Sequence, residues 1–387
     1  MSDLKAYRAR RKQVKAWRLA VLVILLAAAT TLGCLHQLKL ARRPVGVDAL
    51  CPFGGVESAI TLIATGAMIQ RVAWSSFILL LATLLIALVF RRSFCGHICP
   101  LGALQELAAR LGKAIFGKRF SAPAAADRPL RYLKYAVLVV FVALSVILGQ
   151  LAIRPYDPWV AWNHLISADL FREFLVGFIV LAVSLAGSLL FDRVFCKYLC
   201  PMGAFLAVLR RIGWFRVRRS DATCTHCYAC DKACPVNIKV EAASEVRSLE
   251  CIDCNLCVNA CPVPNTLTLN GPRGKTRVSA GAALGITVAI FAVVIGVTSL
   301  AGSFQWTLKP LAETVQLNKA FDPAEIKGSN TLKEVAEVTG IPMAEFLERF
   351  KITEEEFLKP IRDVAHRATD GFETEELREF VRERLGR

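Results

Sequence analysis

"RRSFCGHICPLGALQELAARLG" (residues 91–112) and "FDRVFCKYLCPMGAFLAVLRRIG" (residues 191–213) are two copies of one pattern, F-C-x3-C-P-x-G-A followed by an apolar-periodic stretch. Each copy follows a long uncharged run, Val72 to Phe90 for the first and Phe174 to Phe191 for the second. Two helix pairs built alike are the expected scaffold. Pro100 and Pro201 suit the first position of a new helix, and Leu101, Leu104, Leu107 and Leu111 recur at helical spacing, which predicts a helix lying on the membrane surface. Cys99 and Cys200 then stand at positive helix starts near Arg92, Arg193 and Lys197, a setting that favours thiolate over thiol. Cys95, Cys99, Cys196 and Cys200 are therefore candidates for a redox relay or a third metal centre; the competing reading is that they are small residues packing helix ends.

The composition around the repeat is that of a membrane protein. The chain has 387 residues, 55% of them apolar, more than a water-soluble core requires. Five stretches are free of charge for 17 residues or more: Leu19–Leu35, Val72–Phe90, Tyr135–Ile153, Phe174–Phe191 and Val278–Trp306. Each can cross a hydrocarbon core as a helix of roughly 20 residues. Ser58–Gln70 is also uncharged, but its length fits a re-entrant or interfacial segment and it is left unassigned.

Lys and Arg orient the spans, because loops on the cytoplasmic side carry the excess. The first 18 residues hold seven, Arg91–Lys134 nine and Asp192–Arg277 thirteen. The alternating loops are poorer, with Lys39, Arg42 and Arg43 in one and Arg154 and Arg172 in the other. The amino terminus and both basic loops are expected inside and the carboxyl terminus outside. The net charge of +16 then reads as topology and anionic-lipid contact, not nucleic-acid binding. "TTLGC" before Cys34 fits a lipoprotein cleavage site poorly, so the first stretch is expected to stay as an anchor.

Eight of the fourteen cysteines fall in the last basic loop, as "CTHCYACDKACP" (224–235) and "CIDCNLCVNACP" (251–262). An inside location keeps thiols reduced and points to metal rather than disulfides. Paired C-x2-C units also make zinc sites, but C-x2-C-x2-C-x3-C-P is the bacterial cubane-cluster run, whose fourth cysteine ligates the other cluster. Two 4Fe–4S clusters are expected, one on Cys224, Cys227, Cys230 and Cys261, the other on Cys251, Cys254, Cys257 and Cys234. His97 and His226, inside cysteine runs, read as neighbours of ligands. His36 and His164 fall at the outer side, as candidates for a quinol proton exit or a haem. Cys34 and Cys51 also fall near the outer face, Cys34 as a packed thiol.

The doubled F-C-x3-C-P-x-G-A, the doubled ferredoxin run and "CPFGG" at Cys51–Gly55 resemble the polytopic membrane ferredoxins typified by NapH of periplasmic nitrate reduction and by the carboxyl-terminal half of NosR. The resemblance covers about residues 10 to 270. It implies an electron-transfer subunit of a quinol dehydrogenase in the bacterial cytoplasmic (inner) membrane, with quinone and a partner reductase as partners, and with Cys95, Cys99, Cys196 and Cys200 matching the family's membrane-edge motifs. A ferredoxin loop followed by a fifth span and an external tail is also similar to the FixG-type proteins of oxidase assembly. That likeness implies copper reduction, and a redox-sensing role is a further alternative. NapH-type chains typically lack the fifth span and tail, and FixG-type chains carry a β-sandwich there. No nucleotide fingerprint is present, so hydride from NADH is not expected.

The expected architecture is thus an α-helical integral membrane protein of about five spans in two repeated helix pairs, with an inserted α+β two-cluster ferredoxin domain and a small helical C-terminal domain. Its segments are membrane repeats over 1–120 and 121–218, the cytoplasmic ferredoxin domain over 219–270, the fifth span over 271–306 and an extracytoplasmic tail over 307–387. The tail holds 17 acidic and 13 basic residues and no cysteine. Ser329 or Thr331 should start a helix closed by Gly340, with further helix starts at Pro342 and Thr353. It reads as a docking module; "TLKEVAEVTGIP" is suggestive of a helix-turn-helix, but a tail outside the membrane meets no DNA.

Overall fold

The basic N-terminal segment and the first apolar stretch form one unbroken helix, α1 (Ser2–Gln37), in the computed structural model. The structure describes residues 2–37, 51–66, 69, 74–118, 120–167, 169–274, 276–306, 323, 326, 328, 330–365 and 372–385. Lys39, Arg42, Arg43, Val72, Gln70, Ser329 and the start of the tail from Thr307 lie outside the described residues. Two compact units result, residues 1–306 and 307–387.

In the first unit α2 (Pro52–Thr65), α3 (Trp74–Phe90), α4 (Ser93–His97), α5 (Pro100–Phe116) and α6 (Ala124–Leu148) are followed by α7 (Pro158–Asn163), α8 (Asp169–Arg172), α9 (Leu175–Leu190), α10 (Val194–Tyr198) and α11 (Pro201–Leu209). Over Lys5–Gln37, Ala125–Leu148 and Ala280–Leu300, three helices are long and apolar enough to cross a membrane. The apolar helices α3 and α9 have 17 and 16 residues, about 25 Å at 1.5 Å per residue against a core of about 30 Å.

The third stretch is displaced from its expected limits of Tyr135–Ile153. Its helix starts eleven residues earlier, at Ala124, and stops at Leu148, where Gly149 turns left-handed at φ 63°. The charges that hid this start are satisfied by the segment that carries the cysteine runs: Lys134 Nζ lies 2.6 Å from Glu250 Oε1, and Arg131 Nη2 donates to the Val236 carbonyl at 2.9 Å. The unassigned Ser58–Gln70 stretch contributes to α2, which packs between α3 and α6; its buried Glu57 accepts from Ser145 Oγ at 2.8 Å.

Both proline expectations hold, with Pro100 and Pro201 in the first turns of α5 and α11. The surface-helix expectation does not. α5 packs along α9 and α1, with Leu101 in a core shared with Leu22, Trp159, Leu181 and Phe195. Only its end carries the exposed Leu111, Ile115 and Phe116. The glycines that close the two quoted repeats explain the burial. A Cβ on Gly112 would sit 1.8 Å from the Leu189 carbonyl oxygen, and one on Gly213 would sit 2.8 Å from that of Ala87. α5 therefore runs against α9, and the chain just after α11 runs against α3. Main-chain bonds close both crossings: Phe120 N to Leu190 O at 3.3 Å, and Trp214 N to Leu88 O at 3.1 Å.

After α11 the chain forms β1 (Arg216–Arg219), α12 (Ala229–Lys232), α13 (Leu256–Ala260), β2 (Leu267–Asn270) and β3 (Arg277–Val278), then α14 (Ala280–Leu300). The three strands make an antiparallel sheet in the order β1-β2-β3. The basic end of α1 is tied to the cysteine runs, with Arg11 Nε donating to the Asn259 carbonyl at 2.8 Å.

The second unit is helical among its described residues, around Ile326, Leu332, Val335, Phe346, Phe357 and Leu377. Thr331 and Thr353 each close a capping box, with Glu334 and Glu356, and Gly340 ends the first helix at φ 73°.

Candidate redox centre: two thiol-lined hollows beside a cysteine quartet

The two cysteine runs fold alike. His226 and Asp253, each two residues after the first cysteine, have φ of 51° and 48°; Tyr228 and Asn255, two further on, have φ of 55° and 56°. Non-glycine residues in this region are strained by about 1–3 kcal/mol each. Left-handed residues at alternate positions turn nearby amides toward one side, as in an anion-binding nest. The amides of Ala229, Leu256 and Val258 accordingly point at the thiols of Cys227, Cys254 and Cys257, and Ile238 N donates to Cys234 Sγ at 3.4 Å.

The eight thiols line two hollows. Cys224, Cys227, Cys230 and Cys261 surround one, and Cys234, Cys251, Cys254 and Cys257 surround the other. Thiols spread around a hollow, with amides directed at them, fit a 4Fe–4S cluster. Burial pushes Cys230 up to about 12 and Cys234 up to about 11, so metal must displace protons there. Exposed Cys227 goes the other way, lowered by the Ala229 amide.

The second hollow abuts the first F-C-x3-C-P motif. Cys95 packs in one cluster with Cys234, Ile252 and Cys254. A Cβ on Gly96 would lie 2.6 Å from Ile252 O and 2.8 Å from Cys254 Cα, so only glycine permits this backbone approach. We call the hollow against the bundle the inner one and the hollow with exposed Cys227 the outer one. Cys99 and Cys200 occupy the caps of α5 and α11, and Cys196 Sγ accepts from Gln105 Nε2 at 3.2 Å. Cys95, Cys99, Cys196 and Cys200 stand within electrostatic reach of one another. Burial pushes the thiols of Cys99, Cys196 and Cys200 up, against the lowering pull of the Gly102 and Gly203 amides at the helix starts and of Arg193.

A buried ionic frame holds this junction, and the sequence reading missed it. Glu106 on α5 receives both Arg18 Nη1 and Nη2 at 2.8 Å, and Arg193 Nη2 at 3.0 Å. The same arginines grip the first motif, Arg18 Nε donating to Gly96 O at 3.0 Å and Arg193 Nη1 to Cys95 O at 2.7 Å. Arg210 reaches Asp253 at 3.3 Å, and Arg92 Nη1 donates to Leu249 O at 2.6 Å. The available signal was the arginine two residues before each F-C, at 92 and 193; nothing repeated marks Glu106. His97 is buried against Ser93 Oγ at 2.8 Å, and His226 Nδ1 lies 2.5 Å from Glu241. His164 bonds the Val160 carbonyl and lies against Phe174, and Cys34 and Cys51 are free thiols.

Thiol-ringed hollows docked on apolar helices define a membrane-associated iron–sulfur electron-transfer protein. The 4Fe-4S binding domain family matches residues 72–119 and 174–220, and the 4Fe-4S dicluster domain family matches 216–262. YccM of Escherichia coli K12, whose name assigns it provisionally to electron transport, is 32% identical over 271 residues, 68% of this chain and 76% of YccM. The ferredoxin-type protein NapH of the same organism is 29% identical, over 51% of this chain and 68% of NapH. The regulatory protein NosR of Pseudomonas aeruginosa is 33% identical, over 43% of this chain and 23% of NosR. No solved structure matches. The chain belongs to the NapH/NosR-type family of membrane ferredoxins.

Proposed function

We propose that the chain carries electrons between the quinone pool and a partner reductase. Cys224, Cys227, Cys230 and Cys261 would hold one 4Fe–4S cluster, and Cys234, Cys251, Cys254 and Cys257 a second. Such clusters supply reversible one-electron storage when bound. The observation that carries this reading is the division of eight thiols between two hollows, one of them packed against Cys95 of the first motif.

The chain's own groups prepare the site. Left-handed residues aim amides at the sulfurs, Gly96 brings the first motif against the inner loop, and the Arg18–Glu106–Arg193 frame fixes that contact. Cys95, Cys99, Cys196 and Cys200 then form a third redox centre between the inner hollow and a quinone site. We read α1, α3, α6, α9 and α14 as five spans of the bacterial cytoplasmic membrane. The basic loops and ferredoxin domain lie inside, and the tail lies outside as a docking unit.

Anaerobically purified protein should contain at least eight irons and show two interacting reduced cubane signals by electron paramagnetic resonance. Cys234→Ala should damage the inner cluster. Replacing the four membrane-edge cysteines with serine should preserve those signals while abolishing their reduction by a quinol analogue in membranes. Stoichiometric zinc, or unchanged quinol-driven reduction in the fourfold variant, would refute the respective assignment.

A further inference from the structure

Each membrane-edge motif is preceded by an arginine, Arg92 two residues before the first F-C and Arg193 two before the second. Both are 1% exposed, and the two repeats exchange them. Arg193 lies on the first motif: its Nη1 donates to the Cys95 carbonyl at 2.7 Å, and a Cβ on Gly102 would stand 2.9 Å from that nitrogen. Arg92 lies on the second: a Cβ on Gly203 would stand 3.0 Å from its Nη2 and 3.5 Å from the Cys200 Cβ. Each guanidinium is thus seated on the C-P-x-G turn of the other repeat. Arg193 stands within electrostatic reach of Cys99 and Cys196, and Arg92 within reach of Cys196.

Protein carboxylates answer these charges only in part. Glu106 is shared between Arg193 and Arg18, Asp253 is paired with Arg210, and Glu250 is paired with Lys134, the further cation near Cys200. The Arg92 side chain donates to the Leu249 carbonyl at 2.6 Å, and it is the Arg92 main-chain amide that reaches Asp253, at 3.2 Å. Among the described residues no carboxylate pairs with the Arg92 guanidinium. Nε of Arg92 and Nε of Arg193 are both buried without a hydrogen-bond partner. Four neutral thiols would leave this positive charge unanswered. Buried cations are costly unless an anion lies near, and an iron–sulfur centre held by four thiolates is such an anion. Its net charge and the hydrogen bonds to its sulfurs set its potential.

We propose that Arg92 and Arg193 are exchanged positioning charges: seated on each other's repeat, they balance a negatively charged iron–sulfur centre on Cys95, Cys99, Cys196 and Cys200 and raise its reduction potential. This rests on the reading of the quartet as a redox centre given above. A positive charge favours the more negative, reduced state. For one charge within about 10 Å at an effective dielectric near 20, its removal changes the reduced-to-oxidised ratio on the order of tenfold, about 59 mV for one electron.

The test is a redox titration of the anaerobically purified, iron-loaded full chain, read by electron paramagnetic resonance and iron content. The quartet's signal is the one lost when its four cysteines are replaced by serine, and the outer cluster's is the one altered by Cys227→Ser. Arg92 carries the test, because Arg193 also holds Glu106 in the buried frame. Arg92→Gln should make the quartet's signal about tenfold harder to reduce and leave the outer one in place. Arg92→Lys, which keeps the charge, should hold the wild-type potential. Loss of the quartet's iron in Arg92→Gln with its retention in Arg92→Lys supports the inference equally. The inference fails if Arg92→Lys is no closer to wild type than Arg92→Gln in potential or in iron, including the case in which both lose the quartet's iron. It fails also if the fourfold serine replacement removes neither iron nor signal; if that replacement leaves quinol-driven reduction unchanged as well, the redox-centre reading falls with it.

Discussion

Replacing Glu106 by glutamine preserves the size of the side chain and removes its charge, isolating the electrostatic role of the buried frame. Glu106 retains 9% exposure of its side chain, and Arg18 and Arg193 retain 1% each. In Glu106→Gln two buried guanidinium groups face each other with no carboxylate between them. Breaking one partner out of a buried ion pair costs about 3–5 kcal/mol, a large share of the roughly 5–15 kcal/mol that holds a folded domain together. The thermal midpoint should therefore fall by roughly 5–8 °C, with loss of iron, because Arg18 and Arg193 also grip the Gly96 and Cys95 carbonyls. Thermal unfolding in mild detergent, followed by thiol exposure and iron release, measures both. Burial acts to raise the Glu106 carboxyl, but Arg18 and Arg193 outweigh it and hold it well below the ordinary 4.5. A depressed carboxyl contributes stability that is present above its unfolded value and is lost only as pH falls through the folded one. The wild-type contribution should thus be constant from pH 8 to 5, and the deficit of Glu106→Gln should be the same throughout that window. A variant within 1 kcal/mol of wild type and with full iron content, allowing about that much for a surface pair, would refute the reasoning.

Gly112→Ala should cost about 1–3 kcal/mol by overpacking, since its new methyl meets Leu189 backbone; an unchanged thermal midpoint would remove the crossing contact from the account. In iron-free protein at pH 8, iodoacetamide should label Cys227 before Cys230 and Cys234, as read by peptide mass spectrometry. Cys227 is exposed and lowered, while the other two are raised by burial, and the reverse order would contradict the hollow geometry. A reporter enzyme active only outside the cytoplasm should work after Arg387 and fail after Gly271, and the opposite pattern would invert the topology.

The cysteine spacing made both runs legible because cluster chemistry constrains residue type and interval together. The prolines after Cys99 and Cys200 likewise announced α5 and α11. Hydropathy placed the apolar helices but mistook the limits of α6, because Asp127, Arg131 and Lys134 look like loop residues until the ferredoxin segment satisfies them. Periodicity showed that α5 has an apolar face without showing what it touches. A lipid surface and a neighbouring helix demand the same leucines, and only Gly112 distinguishes them. Helix-start electrostatics suggested thiolates at Cys99 and Cys200. The competing term, burial, depends on tertiary packing that no local pattern encodes. Glu106 was hidden for the same reason, since its partners are 88 residues before it and 87 after it.

The crossing of the repeats also sets an order of events during synthesis. The helix after Cys99 has no completed seat until Leu189 has been made, and the chain that follows α11 meets Leu88, a residue made long before it, through Trp214. Arg11 must wait longer still, for Asn259. Half a chain is therefore not half a protein: a ribosome stalled after the first repeat leaves Arg18 and Glu106 without Arg193, and α5 without its partner α9. Such long-range closure is slow and exposes unfinished surfaces. The inner thiols reach their final setting only after both repeats have met, so iron arriving earlier would encounter a nascent loop without Cys95 and Gly96 packed against it.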